Sequence, residues 1–147
     1  MRDLHNNLVP TRAIQLQSIT GAALVSGNLD LAGFNAAELL VDFGNIDEMG
    51  LSPQGGAQVA IKLEHADDDG SGAPGSYAEV ALADVIGPSA VASGVVSTVT
   101  SDLSPVRVGY VGGKRFLRVT LTPTGLTNGG PIGAWLLAGR PRHAPVG

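Results

Sequence analysis

The sequence contains no cysteine, which excludes a disulfide scaffold and any thiolate zinc site. It is also poor in charge. Asp, Glu, Lys and Arg make up 15% of the chain, where a soluble domain ordinarily carries about 25%. The surface must then be covered by Gly, Ser, Thr, Asn and apolar atoms, which favours a protein that works against other subunits. Aromatic residues are scarce, with one Trp, two Tyr and three Phe. That is too few to suggest the aromatic-walled cleft in which paired carboxylates cleave sugars. Long apolar runs are missing as well. The longest, Ala134 to Ala138, has five residues, against the roughly 18 a transmembrane helix needs. The opening Met1 to Asn7 is polar and lacks the apolar core of a secretory signal. The expectation is a protein kept in a cytoplasm, or in a particle assembled there, with no membrane partner.

What the chain does hold is 147 residues, enough for one domain with a real core. Its net charge of −4 hides an asymmetry. Residues 1–102 contain all thirteen acids and three bases, a net −10, whereas residues 103–147 contain six bases and no acid, a net +6. Such a division suits complementary contacts, either between copies or with a charged partner.

Alternation of apolar and polar residues dominates the pattern, and period two is the signature of a half-buried strand. The clearest example places Val59, Ile61 and Leu63 on one face and Gln58, Lys62 and Glu64 on the other. Ile14 to Gln17 and Leu29 to Leu31 alternate too, and Ala36 to Phe43 reads as a buried strand. Val91 to Thr100 reads as a strand kinked at Gly94. Val106 to Val111 and Lys114 to Thr122 flank Gly112-Gly113 and read as a hairpin, with Leu117, Val119 and Leu121 inward and Phe116, Arg118 and Thr120 outward. Asp67 to Gly75 is an exposed tip. Leu4 to Ala13 shows no period, and Pro141 and Pro145 forbid a helix at the C-terminus. The expected fold is therefore all-β, an antiparallel β-sandwich or jelly roll. A single domain over residues 14–139 would lie between an extended N-terminal arm, 1–13, and an extended C-terminal arm, 140–147.

Motif-level chemistry is weak throughout. His5, His65 and His143 are dispersed, with no G-x-S-x-G elbow for a nucleophile. Gly70 to Gly75 satisfies G-x-G-x-x-G but leads through Pro74 into another strand, below three aspartates that would repel a diphosphate. Gly109 to Lys114 lacks the first glycine and the closing Ser or Thr of a phosphate loop. Asp67-Asp68-Asp69 offers carboxylates to a hard cation but lacks the Glu that completes an EF-hand. Lys114, Arg115 and Arg118 with Tyr110 and Phe116 resemble a nucleic-acid grip, yet a pI of about 5.1 argues against one. Intersubunit ion pairs are the plainer expectation. No catalytic residue, cofactor or metal site is expected.

One resemblance remains. Glu64-His65-Ala66-Asp67-Asp68-Asp69-Gly70 followed by Tyr77 resembles the E-x-S-D-D-G … Y/W strand-turn-strand unit of small structural proteins of tailed bacteriophages and prophages. Met1 to Asn7, Ala83 to Gly87, Val108 to Val119 and Gly139 to Val146 are similar to that group as well, so the likeness spans nearly the whole chain. Ala66 replaces the Ser, Asp69 is additional, and the tip before Tyr77 is longer and richer in Gly and Pro. The resemblance implies a capsid decoration, or cement, protein on the outside of the virion. Its partners would be the major capsid protein and copies of itself, with a trimer as the expected unit and no nucleic acid. A neck, tail or fibre component is the alternative, as is a carbohydrate-binding jelly-roll module using Trp135 or Tyr77. The expected contact residues are Leu4, Asn6 and Val9 in the first arm, Arg107, Lys114, Arg115 and Arg118 on the basic strands, and Arg140, Arg142 and His143 in the second arm.

Overall fold

The computed structural model describes residues 4–50 and 55–142. Among the described residues, eleven strands form two antiparallel sheets that pack face to face. The first sheet has the order β1 (Leu8–Ile19), β11 (Gly130–Pro141), β4 (Phe34–Phe43), β9 (Val106–Tyr110) and β7 (Val85–Ile86). The second centres on β10 (Phe116–Thr124) beside β5 (Gln58–Ala66). Short strands extend it: β2 (Leu24–Val25) and β3 (Leu29–Asp30) pair with β10, while β6 (Ala78–Glu79) and β8 (Val95–Val99) pair with β5. Only two three-residue 3-10 turns, His5–Asn7 and Leu82–Asp84, interrupt this among the described residues. The β-sandwich expected from the sequence is what the chain forms.

The core lies between the sheets and follows the pleat. Leu39, Val41, Ile132, Ala134 and Leu136 come from the first sheet, and Val59, Ile61, Leu63, Leu117, Val119 and Leu121 from the second; all are essentially solvent-free. Small and branched side chains make up most of this core, and Tyr110 is the largest fully buried side chain among the described residues. The strand expected over Val91 to Thr100 is shorter: β8 begins at Val95, and Ser93 and Gly94 form a turn before it with positive φ, while the register of β5 against β8 shifts between Val95 and Ser97.

Three expectations need correction. Residues 106–122 do not form a hairpin. β9 belongs to the first sheet and β10 to the second, so Val111 to Arg115 is a crossover between layers. Gly112 serves that crossover by lying against Tyr110, where an added Cβ would come within 2.5 Å of the hydroxyl oxygen. The N-terminal arm is not free from Leu8 onward, because Leu8 to Ala13 belongs to β1, which pairs with β11 along its length. Arg140 and Pro141 likewise end β11, with Pro141 opposite Phe34, so the second arm starts inside the sheet. Residues 1–3 and 143–147 of the expected arms lie outside the described residues. Phe116 keeps the outer phase, outside the core cluster, and is nevertheless buried, with the Arg115 guanidinium 4.8 Å from its ring centre.

Candidate protein-contact surfaces

Four of the six basic residues singled out in the sequence form ion pairs within the chain. Lys114 pairs with Asp67, and Arg115 bridges Asp30 and Asp68. Arg118 pairs with Glu64, and Arg107 with Glu38. Each of these pairs joins one of the six C-terminal bases to an N-terminal acid, so the interleaved sheets fold much of the sequence's charge asymmetry onto itself. Lys114, Arg115 and Arg118, expected to pair between subunits, each meet an acid of their own chain. Arg115 is held charged, chiefly by its hydrogen bonds to Asp30, and in return it holds the Asp30 carboxyl below its ordinary range.

These pairs anchor the acidic tip. Asp68 accepts the backbone N–H groups of Gly72 and Gly70, which lower its pKa, and Asp69 accepts the hydroxyl and N–H of Ser71. The carboxylates that a cation would need are thus committed to the loop and its basic neighbours. No group of three or more potential metal ligands occurs among the described residues.

Where the tip meets the crossover, a groove of about 420 Å³ opens between Gly33-Phe34-Asn35 and Gly112-Gly113. It brings together Lys114, Arg115 and Arg142. Arg142 donates from Nε to Asn35 Oδ1 at 3.3 Å, and Asn35 donates to the carbonyl of Arg140 at 3.2 Å. Behind the groove, Tyr110 accepts the Lys114 N–H at 3.2 Å and lies 3.0 Å from Nδ1 of His65. Counted by side chain, the three bases of the groove stand against Asp30, Asp67 and Asp68, so it offers little excess positive charge.

The other expected contact residues are scattered. Leu4 is exposed, Asn6 and Val9 are half-buried, and Val9 sits opposite Ala138. Arg118 lies on the second sheet with its guanidinium 4.1 Å from the ring centre of Tyr77, whose hydroxyl donates to Asn28. Tyr77 is therefore half-covered and is not an open sugar platform. His143 lies outside the described residues.

Around Trp135 lies an apolar surface that sequence reasoning did not assemble, although it named that residue. On the outer face of the first sheet, Trp135 stands beside Leu40 and Arg12, and the next row holds Pro10, Leu137, Glu38, Gly109 and Ile86. Leu16 is 69% exposed, Ile86 62% and Trp135 41%. The signal was present in β11, where Trp135 and Leu137 occupy one phase of the alternation while Ile132, Ala134 and Leu136 fill the core phase. A strand that is apolar in both phases has two faces to cover. Glu38 and Arg107 form an ion pair on this face.

Comparison with protein-family models, with curated proteins and with solved structures returns no match.

Proposed function

We propose that this chain is a structural component of a tailed-phage virion, bound to the outside of the capsid as a decoration or cement protein. Its partners in this reading are the major capsid protein and further copies of itself. The carrying observation is the outer face of the first sheet, on which Trp135, Leu16, Leu40, Leu137 and Ile86 lie among a few charged side chains. An apolar centre with a polar surround is the anatomy of a protein contact surface. The sequence resemblance supplies the particle, and the internally paired charges suit a protein whose contacts are made by shape and apolar burial.

Quantitative mass spectrometry of purified particles against the major capsid protein tests this. A ratio between one-to-one and one-to-a-few supports decoration of the head lattice. A count of about a dozen copies, as expected of a ring at a unique vertex, overturns it in favour of a neck or tail position. Absence from particles removes the virion role.

A further inference from the structure

We infer that the Trp135 face is self-complementary and joins two copies of this chain about a two-fold axis. The inference deepens the proposed function by naming a second copy of this chain as the occupant of the face that carries it; self-association of the isolated chain tests the inference, and copy number in particles tests the virion reading.

Register places the side chains. Arg12 on β1 lies opposite Trp135 on β11, and Trp135 lies opposite Leu40 on β4. One step along, Gly133 on β11 lies opposite Asp42 on β4. Arg12 and Asp42 thus flank β11 on either side, one at the Trp135 row and one at the Gly133 row. Glu38 and Arg107, the other charges of this outer face, neutralise each other. Arg12 and Asp42 have no ion pair among the described residues; Arg12 rests on Trp135, 5.3 Å from its ring centre, and Asp42 is exposed.

One base and one acid, offset across an apolar strand, are what an isologous contact uses. A two-fold axis in the plane of the face, crossing β11 between Trp135 and Gly133, sets each Arg12 over the partner copy's Asp42. The same axis brings Trp135 and Leu40 close to their own symmetry mates, at the centre where aromatic anchors contribute most. Leu16 adds to the patch, because β1 bulges twice and passes close over Gly133, where a Cβ would meet the Leu16 Cα at 3.4 Å. Five strands at about 4.8 Å spacing give a face roughly 20–25 Å across, so two copies bury on the order of 1,000 Å². That is the low end for a specific interface. A face-to-face contact pairs copies two by two, so the trimer expected from the sequence would need another surface.

The test is sedimentation velocity on the full chain from about 1 to 500 µM, the range spanned by weak specific contacts. Wild type is expected to pass from monomer to dimer. Arg12→Asp and Asp42→Arg, each of which sets like charges together, are expected to weaken the dimer at least about tenfold. The double variant Arg12→Asp/Asp42→Arg is expected to restore it, and unchanged circular dichroism shows that each variant folds. A wild type that stays monomeric to 500 µM overturns the inference and gives the face to a different partner. So does a dimer indifferent to the single reversals, or a double variant that stays as weak as the singles.

Discussion

Replacing Tyr110 by Phe removes one oxygen from a ring that is 1% exposed. That oxygen accepts the Lys114 N–H and sits 3.0 Å from His65 Nδ1. Each lost hydrogen bond costs about 1 kcal/mol net, and a buried group left unpaired costs about 1–3 kcal/mol. Tyr110→Phe is therefore expected to lose about 2 kcal/mol at neutral pH, lowering Tm by about 4–8 °C for a domain of this size. The same burial pushes the Tyr110 phenol up to about 12, from about 10 in an unfolded chain. A group whose folded pKa is raised contributes stability below the unfolded value and loses it as pH rises through the folded one. The gap is worth roughly 2–3 kcal/mol, lost between about pH 10 and 12. Phe has no proton to lose, so the variant escapes that decline. Urea unfolding followed by circular dichroism should show the variant less stable at pH 7, with the two stability curves meeting or crossing near pH 11–12. A constant difference across this range would refute the assigned role of the hydroxyl. Equal stability at pH 7 would show that the two contacts carry no net weight.

Two further predictions concern the core and the opposite end of the sandwich. Leu63→Ala empties a solvent-free position at the centre of β5 and is expected to cost about 2–5 kcal/mol, read as a loss of about 5–15 °C in Tm by calorimetry. Glu48 is buried and accepts the N–H groups of Thr127, Asn128 and Gly129, of which Asn128 does most to hold its carboxyl below the ordinary value. The stability it contributes is present above the unfolded pKa, about 4.3, and is lost as pH falls through the lower folded value. Glu48→Gln should therefore flatten the fall of Tm between about pH 5 and 3, and parallel slopes in the two proteins would refute that capping role.

How legible each element was in the sequence followed from whether its signal is local. β5 was readable because Val59, Ile61 and Leu63 alternate with polar residues and no bulge breaks the period within the strand. β1 was not. It is an edge strand with register shifts between Arg12 and Ile14 and between Ile14 and Gln17, and each shift flips which face the next side chain takes. An edge also tolerates Pro10, so a strand presented itself as an arm. The misread hairpin has another cause. Gly112-Gly113 between two alternating runs is the same string in a hairpin and in a crossover. The difference lies in whether β9 pairs with β10 or with β4, and Tyr110 opposite Ala37 settles that through contacts about 70 residues apart.

The candidate surface was hidden for the same reason, and in an instructive direction. Reading charges along the chain drew attention to Arg107, Lys114, Arg115 and Arg118, because they stand together in sequence with no acid nearby. Their acids are supplied from 47 to 85 residues away, and burial of the intervening core aligns them. Fold formation thereby consumes the conspicuous charges and leaves visible only those that the register fails to pair. Arg12 and Asp42 are such a remainder, and neither stands out in the sequence. A residue's availability for a partner is thus a property of what its own chain has left over. By that criterion the Trp135 face, where one base, one acid and an exposed apolar strip coincide, is a better contact candidate than the basic strands.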